Sequence, residues 1–358
     1  MLFTTLPASS LLLGNRIVMA PMTRSRAVEA NTPNALMAEY YSQRASAGLI
    51  ITEGTSPSPN GLGYARIPGL FNEAQVRGWK LVTDAVHAKG GKIFVQLMHT
   101  GRVSHAANLP ADAEVLSPMT SICPGEMYTD VQGMQPHSAP RAMNADDIAR
   151  AVAEYVRAAR LAVEAGFDGV ELHAANGYLI EQFLNANVNQ RTDAYGGSAE
   201  ARNRFVLDVA RATAAAIGGS RVGIRLSPYG VLNGTGHFPG VEPQYLMLTK
   251  ELSALGLLYI HLLDHSAMGA PPVPAGLKSQ LRQAFKGLSI LAGGFDRASA
   301  ESALADGHAD LIAFGRPFIA NPDLVERMRV DGSLNAPDIS SLYTPGTKGY
   351  TDYPMLGA

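Results

Sequence analysis

The sequence predicts a single (β/α)8 TIM barrel that occupies residues 1–358. Short apolar runs rich in β-branched residues recur along the chain, as expected for parallel strands that are covered on both faces. Longer amphipathic segments separate these runs, which indicates repeated strand–helix units. A chain of 358 residues, 46% of them hydrophobic, has the length and the apolar content of one large barrel.

Eight runs qualify as barrel strands. In chain order they are residues 17–20, 49–52, 93–97, 169–172, 222–226, 258–263, 289–292 and 311–314. The segment before Arg16 is expected to cap the bottom of the barrel, and the tail after Asn335 is expected to fold back over the body. The connection after the third strand, residues 99–141, is unusually long. Long loops on the carboxyl-end face of a barrel are usually functional.

Helix starts are predicted where capping residues precede amphipathic segments. Asn144 is expected to cap a long helix, and Asp296 the helix after the seventh strand. Thr32 and Asn321 are each followed by proline, a pattern typical of an N-cap and the first helical residue.

A doubly wound open sheet is the main competing fold. Such a sheet usually carries a glycine-rich turn directly after its first strand. Here the first strand continues into Pro21 and Met22, and the pair Gly61 and Gly63 lacks a third glycine and opens no helix. The sequence therefore argues against a dinucleotide-binding site of that kind.

Charge and cysteine content exclude several classes of protein. The formal net charge is −2 and no long basic run occurs, so nothing indicates binding to nucleic acid or to an anionic membrane. The one cysteine, Cys123, cannot form an internal disulfide, a zinc cage or an iron–sulfur site. With no signal peptide and no apolar run of membrane-spanning length, a cytoplasmic protein is expected.

The ends of the last two predicted strands suggest an anion site. Gly293 and Gly294 follow the seventh strand, and Gly315 and Arg316 follow the eighth. Loops at these two places often bind phosphate in barrels, because glycine lets the backbone approach an anion closely. Arginine adds a bidentate positive partner. The alternative left open by this spacing is that the glycines only form tight turns.

Arg225 ends the fifth predicted strand, where it is expected to be buried. A buried charge needs a partner or a ligand. Either a salt bridge with Glu171 or Glu53, or an anionic ligand, would satisfy it, and the sequence does not choose between the two.

Three polar residues follow the fourth predicted strand: His173, Asn176 and Tyr178. His173 and Asn176 are three residues apart, so one helical turn would place both donors against one oxygen, as in an oxyanion hole. Tyr178 is a candidate proton donor, although its ordinary pKa of about 10 makes it a weak acid. The alternative is a purely structural histidine. No metal site is expected, because no further ligand has suitable spacing.

Several motifs resemble one known family over essentially the whole chain. They are residues 20–26 (APMTRSR), 95–102 (VQLMHTGR), 173–184 (HAANGYLIEQFL), 189–197 (NQRTDAYGG), 223–228 (GIRLSP), 314–316 (FGR) and 349–354 (GYTDYP). On these motifs the sequence is similar to the Old Yellow Enzymes, which are FMN-dependent ene-reductases on a TIM barrel. The central block is long and highly specific.

The resemblance implies one FMN-binding barrel with non-covalent FMN. The implied cofactor residues are Pro21, Met22 and Thr23 beside the flavin ring, Gly54 in close approach to it, Gln96 and Arg225 at its pyrimidine end, and Gly293, Gly294, Gly315 and Arg316 at its phosphate. Thr23 is also implied to tune the flavin potential. A positive Arg225 would stabilise the negative charge of the reduced cofactor.

The resemblance also implies the reaction. NADPH or NADH would reduce FMN, which would then transfer hydride to the β-carbon of an activated alkene such as an enone, a maleimide or a nitroalkene. Tyr178 would supply the proton, while His173 and Asn176 would bind the carbonyl or nitro oxygen. The implied substrate pocket consists of Tyr64, Met98, His173, Asn176 and Tyr343. Met98 departs from the tryptophan of many relatives, which leaves stereochemical preference open.

The implied partners are small activated alkenes and a nicotinamide cofactor, with the chain a monomer or a homodimer. The choice between NADPH and NADH stays open. Two other functions remain as alternatives: a larger flavin barrel with an iron–sulfur cluster, which the single cysteine opposes, and a barrel that binds a phosphorylated metabolite or a flavin without turnover.

Overall fold

The computed structural model describes residues 1–357. In chain order its strands are β1 (Leu6–Ala8), β2 (Leu11–Leu13), β3 (Ile17–Met19), β4 (Leu49–Ile51), β5 (Ile93–Leu97), β6 (Leu116–Ser117), β7 (Glu126–Thr129), β8 (Gly133–Pro136), β9 (Arg141–Ala142), β10 (Gly169–Ala174), β11 (Val222–Leu226), β12 (Tyr259–Leu263), β13 (Leu288–Ala292) and β14 (Leu311–Phe314). The helices are α1 (Ala35–Gln43), α2 (Glu73–His87), α3 (Ala145–Glu164), α4 (Leu179–Leu184), α5 (Ala199–Ile217), α6 (Val241–Ala254), α7 (Ala275–Ala284), α8 (Arg297–Ala305), α9 (Arg316–Ala320) and α10 (Leu324–Val330).

Eight strands close into a parallel barrel in the order β10-β11-β12-β13-β14-β3-β4-β5. Each predicted apolar run overlaps one of these strands, and the prediction of a TIM barrel is confirmed. Helices lie between successive strands along the chain, and the strands read as continuous apolar runs because both of their faces are covered.

The lower interior of the barrel is apolar. Phe94 and Tyr259 are fully buried there, with ring centroids 5.9 Å apart. A side chain at Gly169 would collide with the Phe94 ring, and one at Gly223 with the Tyr259 ring, so these glycines make room for the two aromatics. The antiparallel pair β1–β2 packs onto this same cluster and caps the bottom of the barrel, as predicted.

The upper interior is polar. His173 on β10 pairs in register with Arg225 on β11, which pairs with His261 on β12. Gln96 on β5 pairs with Glu171 on β10. Since residues two apart on a strand share a face, Glu171 and His173 point into the barrel together. This polar layer lies at the carboxyl ends of the strands.

The helix caps agree only in part with the predictions. Asn144 caps α3 through a reciprocal pair with Asp147, and Asp296 caps α8. Thr32 is not a cap: it pairs with Val28 in an isolated bridge, and Asn34 caps α1 instead. Asn321 is the residue after α9 rather than the start of a helix, because its side-chain amide donates to Pro317 one turn earlier.

The connection after β5 contains structure that the sequence did not indicate. β7 and β8 form an antiparallel hairpin, and β6 pairs with β9. Val103, Cys123 and Met127 of this connection form a buried cluster against Tyr64 and Tyr178. The long loop therefore reaches the region of the predicted active site.

Two arginines tie the C-terminal tail to the segment after β3. Arg24 Nη2 donates to the Gly349 carbonyl at 2.6 Å, and Arg26 Nη2 donates to the Ser341 carbonyl at 2.8 Å. The Tyr350 ring stacks on Tyr40 at 4.0 Å. The tail folds back over the body, as expected, and brings Tyr343 to the same face as the upper polar layer.

Candidate active site

A cavity of about 660 Å³ opens at the carboxyl ends of the barrel strands. It brings together all of the predicted site residues except Tyr64. Those that line it are Pro21, Met22, Thr23, Gly54, Gln96, Met98, His173, Asn176, Tyr178, Arg225, Gly293, Gly294, Gly315, Arg316 and Tyr343. The volume lies within the range typical of small-molecule sites.

At one end the cavity is shaped by backbone conformation. We call this end the glycine end; it consists of Gly293, Gly294, Gly315 and Arg316. Gly293 has a φ of 145° and Gly294 a φ of 76°, which only glycine adopts readily. A Cβ at Gly293 would lie 2.5 Å from the Asp264 carbonyl oxygen.

Gly315 differs, because the nearest atom to a Cβ there would be 3.6 Å away. The protein leaves room for a side chain at Gly315, and such a side chain would fill the cavity. Tight turns thus account for Gly293 and Gly294, but a closely approaching ligand accounts better for Gly315. Arg316 beside it is exposed and lines the cavity.

Arg225 is a buried cation at the centre of the polar layer. It is 6% exposed, and its Nε has no hydrogen-bond partner within residues 1–357. Burial lowers the pKa of its guanidinium. Glu53 is engaged by the backbone N–H groups of Arg24 and Ser25, so it is not the partner considered above. An unpaired buried cation is costly, so Arg225 fits a ligand with acceptor atoms.

A buried network orients Gln96 beside Arg225. Glu171 accepts hydrogen bonds from Gln96 Nε2 at 2.8 Å, from the Tyr259 hydroxyl at 3.1 Å and from His261 Nδ1 at 2.9 Å. Burial by itself would raise the pKa of Glu171, but His261 and Arg225 outweigh it and the pKa is lowered. Because its amide nitrogen is used, the Gln96 amide leaves its oxygen for a ligand.

At the other end the cavity is shaped by polar side chains. We call His173, Asn176 and Tyr178 the clamp end. His173 is 3% exposed, and its Nδ1 has no hydrogen-bond partner in the described chain. Burial, followed by the charge of Arg225, lowers the pKa of His173 well below its ordinary value. The ring is therefore neutral near pH 7 and can donate one N–H.

The sequence suggested that one helical turn brings His173 and Asn176 together, but the structure has no helix at these residues. His173 is the penultimate residue of strand β10, Asn176 has a left-handed φ of 62°, and α4 begins only at Leu179. The two donors converge because a strand ends in a tight turn. The Asn176 backbone N–H donates to Ser227 Oγ at 3.0 Å, which fixes that turn.

Glu181 supports the same turn from below. It is 1% exposed and accepts from the Gly177 N–H at 2.6 Å and from Ser227 Oγ at 2.9 Å. Burial raises the pKa of Glu181 to about 7, while these hydrogen bonds act in the opposite direction. Sequence reasoning gave Glu181 no role, although it lies inside the central motif.

Tyr178 keeps its hydroxyl proton at neutral pH and can therefore act as an acid. Burial raises its pKa to about 12, and a hydrogen bond from Tyr64 opposes that rise. The two hydroxyl oxygens are 3.0 Å apart. Either hydroxyl could donate in this pair; with Tyr64 as the donor, the Tyr178 proton is free to face the cavity. Tyr64 thus contacts Tyr178 from behind and does not line the cavity.

Met98 and Gly54 are matched in size. A Cβ at Gly54 would lie 2.5 Å from Met98 Sδ. Met98 is 2% exposed and packs with Leu62 and Ile67 at the side of the cavity. Any larger residue at Gly54 would displace the Met98 side chain. Tyr343, 60% exposed, lines the cavity from the C-terminal tail.

Three polar residues that were not among the predicted site residues also line the cavity: Arg24, Asp264 and His265. His265, which follows β12, is 3% exposed and contacts Asn176. The sequence places it directly after a barrel strand, but no motif distinguishes it from a structural histidine.

These groups suit a ligand with a phosphate at the glycine end and a planar, acceptor-rich ring near Arg225 and Gln96. FMN combines both features. Within residues 1–357 there is no group of three or more side chains arranged to hold a metal ion. No helix in the same residues is long and apolar enough to cross a bilayer.

Comparisons with known proteins agree on one family. Residues 1–335 match the sequence model of the NADH:flavin oxidoreductase / NADH oxidase family. The chain is 42% identical to 12-oxophytodienoate reductase 1 of Oryza sativa subsp. japonica, over 99% of this chain and 93% of the relative.

Solved structures give the same result. A morphinone reductase in complex with tetrahydroNAD has a TM-score of 0.94 and 46% identity, covering 99% of this chain and 97% of the other. An Old Yellow Enzyme homologue from Zymomonas mobilis has a TM-score of 0.95 and 41% identity, covering 99% of each chain.

Proposed function

The chain belongs to the NADH:flavin oxidoreductase / NADH oxidase family, and we propose that it reduces activated alkenes with His173 and Asn176 as the oxygen clamp and Tyr178 as the proton donor. One observation carries the proposal. A single cavity joins the buried cation Arg225, whose Nε has no hydrogen-bond partner in residues 1–357, to the side chains of His173 and Asn176 and to a protonated tyrosine.

The proposal assigns FMN to the glycine end and the polar layer. Gly293, Gly294, Gly315 and Arg316 would hold its phosphate, and Arg225 with Gln96 would face its pyrimidine edge. Pro21, Met22, Thr23 and Gly54 would lie along the ring. Bound FMN would take hydride from a nicotinamide and pass hydride to the alkene. The support for a nicotinamide is the similar morphinone reductase, whose structure contains tetrahydroNAD.

The chain's own part in the reaction follows from the clamp end. Neutral His173 and the Asn176 amide would donate hydrogen bonds to the carbonyl or nitro oxygen of the substrate. Negative charge develops on that oxygen as the β-carbon receives hydride, so preorganised donors stabilise the transition state. Tyr178, whose pKa of about 12 keeps it protonated, would then deliver its proton to the α-carbon.

Substrate class follows from the same groups. The clamp requires an acceptor oxygen conjugated with the alkene, as in enones, maleimides and nitroalkenes. Met98 on one side and Tyr343 on the other would limit the size of the alkene substituents.

The purified protein tests this proposal directly. Its visible spectrum should show bound flavin that is released as FMN on denaturation. Under anaerobic conditions NADPH or NADH should bleach the flavin band, and 2-cyclohexenone, N-ethylmaleimide or 1-nitrocyclohexene should restore it. A colourless preparation that takes up no FMN would contradict the cofactor assignment. A reduced band that none of the three alkenes reoxidises would contradict the substrate class.

A further inference from the structure

His265 is a buried polar residue of the cavity that the proposed reaction does not use. It is 3% exposed, and its Nε2 lies 2.9 Å from Asn176 Oδ1. The chain on both sides of His265 is anchored, because Asp264 accepts hydrogen bonds from the Ser266 N–H at 2.9 Å and from Lys278 Nζ at 2.6 Å. The imidazole itself contacts the Asn176 side chain.

Three contacts define how Asn176 is held. Its backbone N–H donates to Ser227 Oγ at 3.0 Å, and its backbone carbonyl accepts from Asn233 Nδ2 at 2.7 Å. Its side-chain oxygen contacts His265 Nε2. The two hydrogens on Asn176 Nδ2 are therefore left to donate to a ligand in the cavity.

The orientation of this amide depends on the histidine tautomer. If Nε2 carries the proton, it donates to Asn176 Oδ1 and leaves Nδ1 as a bare nitrogen. If Nδ1 carries the proton, the amide must turn over, and the buried Nδ1–H has no partner in the described chain. The first arrangement is favoured, because a buried N–H without an acceptor is rarer and more costly than a buried acceptor without a donor. Burial and the charge of Arg225 lower the pKa of His265, so the ring is neutral.

We propose that His265 is a positioning residue: its Nε2–H holds the Asn176 side-chain oxygen and so directs the amide N–H groups at the substrate oxygen. An asparagine amide without this contact could present either its oxygen or its nitrogen to the cavity. Only the nitrogen can bind the carbonyl or nitro oxygen. His265 thereby makes Asn176 act as a donor and favours ligands that present an acceptor. This inference rests on the proposed function.

Binding of 4-chlorophenol, whose phenolate oxygen is an acceptor, tests the proposal by its effect on the flavin band. His265→Phe keeps a ring of similar size but removes the donor, and His265→Gln keeps a donor. We expect His265→Phe to weaken 4-chlorophenol binding by roughly threefold to tenfold, the usual effect of one hydrogen bond. We expect His265→Gln to bind within about twofold of the wild-type protein. His308→Phe, an exposed histidine, is the matched control and should bind normally.

The decisive comparison repeats the change in an Asn176→Ala background. A residue that acts through Asn176 has no further effect once the amide is gone, so His265→Phe should then change 4-chlorophenol binding by less than about twofold. The Michaelis constant for 2-cyclohexenone should follow the same pattern. An equal loss with and without Asn176, or no recovery in His265→Gln, would overturn the proposal.

Failure of the His265 proposal can be distinguished from failure of the proposed function. If His265→Phe does not retain FMN, His265→Leu replaces it in the same comparison, with the same outcomes required. If wild-type protein shows no flavin band, or none that responds to 4-chlorophenol, the proposed function itself is contradicted. A wild-type response that His265→Phe leaves unchanged overturns the role of His265 alone.

Discussion

At the glycine end of the cavity, positions are set by backbone conformation, whereas at the clamp end they are set by buried polar side chains. Gly293 and Gly294 have φ values that other residues adopt only under strain. Asn176 also has positive φ, but it is held there by Ser227 and Asn233. The same problem of placing donors around a ligand is thus solved in two ways.

The two ends of the cavity should therefore respond differently to substitution. A residue change at the glycine end alters backbone geometry, so it should affect retention of the cofactor. A change at the clamp end removes one donor or acceptor from a network, so it should affect the alkene half-reaction with FMN still bound.

The largest expected effect comes from Tyr178→Phe. Removing the proposed acid should slow the alkene half-reaction by roughly 10²-fold to 10⁴-fold, the usual contribution of a positioned proton donor. Reduction of the flavin by NADPH or NADH involves no proton from Tyr178 and should stay within about twofold. Anaerobic stopped-flow absorbance measures both half-reactions. Equal rates of alkene reduction in the two proteins would show that the proton comes from elsewhere.

At the glycine end, Gly293→Ala should weaken FMN binding by about 2 to 6 kcal/mol. The new Cβ would lie 2.5 Å from a backbone oxygen at a φ of 145°, so strain and collision add. Gly307→Ala is the control, because Gly307 also has positive φ but has nothing within 4 Å of a Cβ. Titration with FMN compares the two. If both variants bind FMN alike, the close packing behind Gly293 is not what shapes this end.

The glycine end was easier to predict from sequence than the clamp end, and the reason is physical. Glycines after two successive strands are a local signal, since the register of parallel strands brings their carboxyl ends together. The eight barrel strands could also be predicted from local sequence. Both faces of each strand are covered, so each appears as a continuous apolar run.

The clamp end depends on contacts between residues far apart in sequence. His265 contacts Asn176 across 89 positions, and Ser227 contacts it across 51. No periodic pattern in the sequence reveals contacts between residues so far apart. The incorrect helical turn at His173 had the same cause, because the left-handed Asn176 is stabilised by Ser227 rather than by its own neighbours in sequence.

Glu181→Gln should change the pH dependence of stability. Burial raises the pKa of this carboxyl from 4.5 to about 7, so the folded state binds the proton more tightly than the unfolded state. The contribution of this group is fully present below about pH 4.5 and is lost as the pH rises to about 7. Glutamine does not titrate, so relative to wild type the variant should gain up to about 3 kcal/mol over that window.

Urea denaturation at intervals from pH 4.5 to 8 measures this difference, with the exposed Glu39→Gln as the control. The variant and the wild-type protein should diverge as the pH rises, while the control runs parallel to wild type. Parallel curves for Glu181→Gln would show that the carboxylate stays ionised beneath the clamp, and that its hydrogen bonds outweigh burial.

The smallest expected effect belongs to Tyr64→Phe. Burial raises the pKa of Tyr178, and the hydrogen bond from Tyr64 lowers it in part, because a donor stabilises the phenolate left behind after proton transfer. Without Tyr64 the acid is weaker, so the alkene half-reaction should slow by roughly threefold. In a Tyr178→Phe background the same change should have no effect, and the exposed Tyr128→Phe should have none in either. A loss of FMN in Tyr64→Phe would break the division between the two ends, since a residue behind the clamp would then be shaping the cofactor site.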